Sequence, residues 1–189
     1  MRHTLVVLAV LAMGAAAMSD RGSLDFGFGG GAWVPGLLES GSEIEAGPAV
    51  SLSLEIPMDQ GHVVFLRSGY RTASTDRAGY ESVSAIPLTI GYRIYPFYKP
   101  YAGPRGLEPL FGVYGGGILA WDSVEGDSLE STTTGGGVFG AEIGARISLS
   151  GETGIDVIVM PEWVPLGGEL AGEESGVLSG LLVYAGVVF

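Results

Sequence analysis

The 189-residue chain contains no cysteine, and this absence excludes disulfide bonds, thiolate metal ligands, cysteine nucleophiles and lipid attachment at an N-terminal cysteine. Basic residues are also few, because nine Lys and Arg stand against 21 Asp and Glu, for a formal net charge of −12. Proteins that bind nucleic acid neutralise its phosphates with a basic surface. The composition therefore argues against a nucleic-acid partner.

Charged residues of either sign make up only 16% of the chain, whereas 47% of it is hydrophobic. This balance excludes a disordered tail or a solvated linker. Glycine is abundant, with 33 residues, about 17% against roughly 7% in average proteins. Many glycines, few charges and no long helix-forming stretch together favour β-structure in an unusual solvent.

The start of the chain has the features of an export signal. Arg2 is followed by an apolar run of eight residues at 5–12 (LVVLAVLA) and then by small residues that fit the A-x-A cleavage pattern. The run is far shorter than the ~20 residues that a transmembrane helix needs. We therefore expect a cleaved signal peptide at residues 1–17 and one domain at residues 18–189.

No later segment predicts a transmembrane helix. The longest stretch without Asp, Glu, Lys or Arg after the signal is Ser175–Phe189, which has fifteen residues and is rich in glycine. Backbone polar groups in lipid must all be paired within the protein, so only helices and closed barrels span membranes. An exported hydrophobic chain without a spanning helix is then either a soluble β-protein or a closed barrel in an outer membrane.

Alternation of apolar and polar residues predicts eight strands, most of them long enough for a tilted strand to cross a bilayer. The first and fifth are too rich in glycine to fix their register, and a bulge could shift either one. The predicted strands are Leu24–Val34, Ala46–Ile56, Val63–Thr72, Ser82–Tyr95, Pro109–Trp121, Gly135–Leu149, Gly154–Trp163 and Val177–Phe189.

The connections alternate in length. Long polar loops follow the odd-numbered strands, whereas the links after strands two and six are short and the link after strand four is rich in proline and aromatic residues. With a periplasmic N-terminus, all four long loops lie outside the cell, which is typical of outer-membrane barrels. The sequence therefore predicts an all-β fold, an eight-stranded antiparallel up-and-down transmembrane β-barrel.

The long loops are acidic, with twelve of the 21 acidic residues against one base, Arg77. Such loops are typically just solvated. Weak binding of Ca²⁺ or Mg²⁺ through carboxylate oxygens is the alternative. The best cluster for it is Asp122, Glu125, Asp127 and Glu130. We expect no cofactor and no metal site of the His/Cys type.

Aromatic residues gather at the two ends of the predicted strands, where membrane barrels carry girdles at headgroup level. Core aromatics would instead be spread along the strands. The predicted interface residues are Trp33, Trp121 and Trp163 at the outer rim and Tyr95 and Phe97 at the inner rim.

Charged residues occupy the strand face opposite the apolar residues, so they should line the lumen. An eight-stranded barrel is just wide enough for side chains to fill, and buried charges should pair. The tight turn near Gly151 places Arg146 opposite Asp156, and Arg93 or Arg67 could pair with Glu142. We favour a filled lumen over a water path or ligand cavity. The predicted lumen residues are Glu55, Arg67, Arg71, Arg93, Glu142, Arg146, Asp156 and Glu162.

Two segments carry a family resemblance. The last strand, LLVYAGVVF, ends on Phe189 with apolar residues at alternate positions before it, and a second segment reads IPLTIGYRIYPF. Together they resemble small eight-stranded outer-membrane barrels of the OmpA, OmpX and OmpW type, although Val187 stands where an aromatic is common and the link after strand four is longer. The resemblance implies a monomer in the outer membrane of a Gram-negative-type bacterium. It also implies contacts with lipid and lipopolysaccharide, and a role for Phe189 as the signal to the barrel-assembly machinery.

Catalytic groups are scarce. Small barrels that modify lipids use His with Ser and an acid, and a catalytic base must lie within hydrogen-bond reach of its nucleophile. The only histidine after the signal, His62, falls at a periplasmic turn. We therefore predict a non-enzymatic outer-membrane barrel that contributes to envelope integrity or surface interaction. The alternatives are a narrow OmpW-like channel or carrier for small hydrophobic molecules, a soluble periplasmic binding barrel and a lipid-modifying enzyme.

Overall fold

The computed structural model describes residues 24–36, 43–58, 61–97, 106–126, 130–150, 153–172 and 178–189, so the predicted signal peptide at 1–17 lies outside the described residues. Within these ranges the chain forms eight strands, and no helix there has the length and apolarity needed to cross a membrane. The strands are β1 (Asp25–Pro35), β2 (Gly47–Pro57), β3 (His62–Ser74), β4 (Tyr80–Ile94), β5 (Leu107–Val124), β6 (Thr133–Ser150), β7 (Thr153–Trp163) and β8 (Gly180–Val188).

Every strand pairs antiparallel with its neighbour in chain order, and β1 also pairs with β8, so the sheet closes into a barrel. The predicted eight-stranded up-and-down architecture is confirmed. The glycine-rich β1 keeps one register along its whole pairing with β2, from Asp25 opposite Glu55 to Trp33 opposite Gly47. The other glycine-rich strand, β5, is equally regular against β6.

The predicted boundaries are correct to within a few residues. The two longest strands, β5 and β6, extend two or three residues further toward the long loop between them than alternation indicates. The start of β8 was predicted at Val177, which lies outside the described residues, but the strand begins at Gly180. Leu178 and Ser179 just before it are buried in the loop instead, and the Ser179 hydroxyl accepts a hydrogen bond from the Val164 amide.

The two faces of the sheet have opposite chemistry. Outward-facing positions carry large apolar side chains, such as Leu52 and Ile90, which are 63% and 62% exposed. Inward-facing positions of the same strands carry buried charged groups, such as Glu55 and Arg93. A water-soluble domain has the opposite arrangement, because most of its large apolar side chains are buried and most of its charged side chains are exposed.

Two inward-facing glycines make room for aromatic rings in the lumen. A Cβ atom on Gly91 would lie 2.2 Å from the Phe65 ring, and one on Gly140 would lie 2.4 Å from the Tyr114 ring. Both rings are buried and contact the charged groups described below. The missing side chains on β4 and β6 thus allow aromatic side chains to fill the narrow interior.

The expected contact of the outer face with lipid predicts that arginine at its centre will destabilise the protein. Leu52→Arg, at the middle of β2, should lower the free energy of unfolding in lipid vesicles by about 2–4 kcal/mol, because the bilayer centre is the costliest depth for a charge. Leu149→Arg, at the end of β6, is the matched control and should cost about 0–1 kcal/mol. Equal small costs, with folding that needs neither lipid nor detergent, would contradict lipid contact.

Candidate functional site

The lumen holds charged side chains that alternation directs inward, and eight of those in the described residues form two groups of ion pairs. Six belong to one connected ion-pair network, named here the inner cluster, and two form a separate pair, named here the outer pair. The inner cluster is Glu55, Arg67, Arg93, Glu142, Arg146 and Asp156. The outer pair is Arg71 and Glu162.

Arg93, from β4, is the centre of the inner cluster and is fully buried. Its Nε donates to Glu142 Oε2 at 2.9 Å. Its Nη1 donates to Glu55 Oε1 at 2.8 Å and to Asp156 Oδ2 at 3.1 Å. One guanidinium therefore joins carboxylates from three other strands, β2, β6 and β7, across the lumen.

Arg146, on β6, binds two of these three carboxylates, Asp156 and Glu55. It lies directly opposite Asp156 in the β6–β7 register, as the short turn between these strands predicts. Its Nε donates to Asp156 Oδ1 at 2.6 Å and its Nη2 to Asp156 Oδ2 at 2.8 Å. The Nη2 also donates to Glu55 Oε2 at 2.8 Å, so Glu55 bridges Arg146 and Arg93.

Arg67 completes the inner cluster. Its Nη1 donates to Glu142 Oε1 at 2.5 Å, so Glu142 pairs with both of the arginines considered from the sequence. The Arg67 guanidinium also lies 4.7 Å from the centroid of the Phe65 ring, a favourable cation–π distance. The cluster contains three arginines and three carboxylates. This balance matters because a buried charge without a partner costs several kcal/mol.

The outer pair shares no ion pair with the inner cluster, although all eight residues were predicted to line the same lumen. Arg71 Nη1 donates to Glu162 Oε2, and the Tyr114 hydroxyl donates to Glu162 Oε1 at 2.8 Å. The Arg71 guanidinium stacks on Trp33, 4.9 Å from its ring centroid. Both oxygens of the buried carboxylate are therefore occupied.

Two predicted interface aromatics face the lumen instead, and that prediction was wrong for them. Trp33 is 0% exposed and stacks on Arg71, whereas Tyr95 is 5% exposed and stacks on Arg146 at 5.1 Å. Their places near the ends of predicted strands indicated the outer and inner rims of the barrel, but both side chains face inward. There they cover the faces of guanidinium groups, which is favourable for a cation removed from water.

The other aromatic residues singled out in the sequence lie on the outside. Trp163 and Phe97 are exposed, and Trp121 is half-buried against Tyr70. A membrane-interface position for these three stays a prediction. Phe189 is exposed and exchanges backbone hydrogen bonds of 2.8 and 3.0 Å with Phe26 next to the β1–β8 junction, while its part in assembly also stays a prediction.

The loop between β7 and β8 contributes buried apolar side chains to the cluster around Trp33, which the prediction of a solvated polar loop missed. The available signal was the apolar content of VPLGGELAG at 164–172. We call these residues the apolar cap. They are Val164, Leu166, Leu170, Ala171 and Leu178.

Asp122 holds this cap in place and is not a free cation ligand, which corrects its assignment from the sequence. The side chain is 1% exposed. Its Oδ1 accepts from the Thr132 amide at 2.6 Å and its Oδ2 accepts from the Ala171 amide at 2.8 Å. Ala171 has a φ of 50°, in the left-handed region, so this contact fixes an unusual backbone conformation.

The remaining cation candidates form no metal site within the described residues. Glu125 and Glu130 are exposed, and Asp127 lies outside the described residues. No group of three or more His, Asp or Glu in the described ranges is arranged to hold a metal ion. Divalent binding by the acidic loops stays a prediction.

The side chains considered for catalysis have other partners. His62, the one histidine in the described part of the chain, stacks on Tyr92 with ring centroids 5.6 Å apart and shares a hydrogen bond with its hydroxyl. The Ser179 hydroxyl accepts from the Val164 amide beside the apolar cap. Neither contact forms a nucleophile–base pair.

The inner cluster predicts a non-additive effect of substitutions at Asp156 and Arg146. Asp156→Ala leaves three arginines with two carboxylates and should lower the free energy of unfolding by about 3–5 kcal/mol. The Arg146→Ala/Asp156→Ala double variant leaves Arg67 and Arg93 with Glu55 and Glu142, so it should cost less. Urea titration of refolded protein measures both. Additive losses would contradict a coupled network.

The position of Asp122 predicts faster proteolysis between β7 and β8 when its charge is removed. Asp122→Asn turns an amide NH₂ toward a backbone N–H, which should cost about 1–3 kcal/mol of local stability. Limited proteolysis of the folded barrel measures the effect. Glu125→Gln, an exposed carboxylate on the same strand end, is the control and should leave cleavage unchanged. Identical rates in both variants would exclude this role for Asp122.

Solved structures of known proteins share this fold. Neisserial surface protein A aligns with a TM-score of 0.52 and 12% identity over 87% of this chain and 93% of its own. The N-terminal β-barrel domain of Pseudomonas aeruginosa OprF aligns with a TM-score of 0.50 and 13% identity over 88% of this chain and 96% of its own. No family model and no curated protein matches the sequence. At such low identity, the likeness shows the barrel fold alone.

Proposed function

We propose that the chain is a non-enzymatic outer-membrane β-barrel with a filled lumen, and that it contributes to envelope integrity or to surface interaction through its acidic outer loops. The observation that carries this proposal is the inverted distribution of side chains, with charges paired inside and large apolar groups exposed outside. The partners would be outer-membrane lipid, lipopolysaccharide and the barrel-assembly machinery. We expect a monomer that has no nucleic-acid partner.

The exposed belt supports a membrane location. Large aliphatic or aromatic side chains at least 39% exposed occur on each of the eight strands, in a continuous closed sheet. Soluble monomers rarely expose contiguous apolar patches larger than about 300–600 Å². Closure of the sheet also leaves no unpaired strand edge, which lipid would not tolerate. The shared fold with a neisserial surface protein and with the OprF barrel domain supports the same location.

The contents of the lumen favour a structural role over a channel. The inner cluster fills one level of the barrel with ion pairs, and the apolar cap and Trp33 fill another with buried hydrophobic groups. An eight-stranded barrel is only wide enough for such side chains. A narrow channel or carrier for small hydrophobic molecules would require both levels to rearrange.

Planar-bilayer recording tests the filled lumen. We expect purified wild-type protein to give no stable single-channel steps, because ion pairs occupy one level of the lumen and buried hydrophobic side chains occupy another. A detergent gel of the same preparation, with and without boiling, provides the control, since a shift on boiling shows that the inserted protein is a folded barrel. Stable steps from shifting protein would overturn the filled lumen and support the channel.

A further inference from the structure

The outward face of four neighbouring strands changes from apolar to polar along one row of the sheet. The row crosses β3, β4, β5 and β6, and its members lie directly opposite one another in the strand register. They are Thr72, Ser84, Trp121 and Thr133, named here the polar row. The adjacent row toward the short turns contains Ile86, Leu119 and Gly135, of which the first two are 43% and 49% exposed. The exposed belt therefore ends at the polar row on these strands.

The next row toward the long loops is polar as well. It contains Ser74, Ser82 and Ser123, and alternation directs these side chains outward too. No side chain in the two rows, all of them in the described part of the chain, is charged, although a surface made for water carries roughly 25–35% charged residues. Ser74, at the edge, donates a hydrogen bond of 2.7 Å to the exposed carboxylate of Glu45 in the first long loop. The two rows thus form an uncharged polar band between the exposed belt and the acidic loops.

The polar band occupies one side of the barrel, where the strands are longest. β3, β4, β5 and β6 have 13, 15, 18 and 18 residues, whereas the other four strands have 9 or 11. β6 continues for six residues beyond its last pair with β7, which joins Phe139 to Trp163, and Thr133 is the end of this extension. The outward-facing residues at the same end of the shorter strands are Val34, Pro48, Trp163 and Leu181. Part of the extra length therefore extends the wall at the long-loop end, and that part carries the polar band.

Contacts within the polar row hold its side chains in place. The Ser84 hydroxyl lies 3.0 Å from the Tyr70 hydroxyl and donates to Thr72 Oγ1 at 3.0 Å. The rings of Tyr70 on β3 and Trp121 on β5 approach each other from either side of Ser84, with centroids 6.1 Å apart. Tyr70 is 42% exposed and Trp121 is half-buried, so each presents ring surface together with a polar group. A ligand on this face meets ordered aromatic rings next to ordered hydroxyl groups.

The composition of the polar band favours sugar over lipid hydrocarbon, phosphate or water alone. Hydrocarbon offers no hydrogen bonds to exposed Ser and Thr hydroxyls, and phosphate is typically bound by basic residues, of which the band has none. Water alone does not account for the absence of charge. Sugar hydroxyls both donate and accept hydrogen bonds, as Ser and Thr do, and the C–H faces of sugar rings pack on aromatic side chains. A neutral sugar fits best, because the acidic loop residues beside the band repel anions.

We propose that the polar band binds the neutral sugar units of the outer-leaflet glycolipid, which is lipopolysaccharide in the proposed location. The exposed belt next to the band contacts the acyl chains of the same molecule, so one glycolipid covers both surfaces. This inference rests on the proposed outer-membrane location and deepens it, since it names the surface of the barrel and the part of the lipid that meet.

Competition for a labelled lipopolysaccharide with neutral outer hexoses tests the proposal on wild-type protein refolded in a non-ionic detergent. One competitor is the same molecule unlabelled, the second is a truncated form that lacks the hexoses and keeps the phosphates and acyl chains, and the third is the released oligosaccharide. We expect the complete molecule to compete at least fivefold more strongly than either of the others. Equal competition by the truncated form would exclude recognition of the sugars. Equal competition by the oligosaccharide would show a site for soluble glycans and overturn the glycolipid.

A matched pair of tryptophan variants separates sugar binding from general anchoring at a membrane interface. Trp121→Leu removes the ring from the polar row and should reduce the preference for the complete molecule over the truncated form to less than twofold. Trp163→Leu removes a tryptophan that is 59% exposed on β7, outside the polar band, and should keep the wild-type preference. Equal preferences in the two variants would show that the polar row does not select the sugars, and would overturn the proposal.

A second pair tests the hydroxyl groups and leaves every aromatic ring in place. Thr133→Val keeps the shape of the side chain and should lower the preference for the complete molecule at least twofold. Thr153→Val makes the same change at the short-turn end of β7 and should leave the preference unchanged. An unchanged preference in Thr133→Val would overturn hydrogen bonding of the sugars to this row.

The gel shift on boiling verifies that each variant is a folded barrel. If Trp121→Leu does not shift, Thr133→Val carries the test, because it removes only one exposed hydroxyl. Wild-type protein that shifts but shows no preference for the complete molecule would overturn only the sugar site, whereas absence of the shift would count against the proposed barrel itself.

Discussion

The ion pairs around Arg93 are the interaction on which the interior of the barrel depends. Backbone hydrogen bonds in a closed sheet join each strand only to its two neighbours, so they do not by themselves fix the cross-section. Arg93 connects β4 with carboxylates on β2, β6 and β7 and thereby braces the wall from inside. Because the guanidinium and its partners are removed from water, every one of these charges requires the others.

The two ends of the lumen are filled by different physical means. Toward the short turns, the interior contains ion pairs that are held in place by regular strands. Toward the long loops, it contains hydrophobic side chains from an irregular segment, which the Asp122 carboxylate binds at the Ala171 amide. A substitution at Asp122, near the end of β5, should therefore loosen the cap, whereas the inner cluster depends on charged side chains from five strands.

Much of this arrangement could be predicted from the sequence, because a strand alternates its two faces with period two. Alternation identified the strands and the charged lumen residues, and the short turn after β6 placed Arg146 opposite Asp156. The prediction of interface aromatics failed for Trp33, because it used the position along the strand and ignored which face of the sheet carries the side chain. Asp122 could not be assigned, since its partners are 10 and 49 residues away and a loop carboxylate looks solvated until its partners are known.

The junction between β1 and β8 has a consequence for the order of folding. These strands are the first and last of the barrel, and their pairing from Gly27–Val188 to Pro35–Gly180 joins residues separated by most of the chain. Contacts of such long sequence separation are entropically costly and form late. Until β8 arrives, β1 has an open edge that can pair with another chain. The interval between synthesis of β1 and docking of β8 is therefore the period in which this protein is most prone to aggregate.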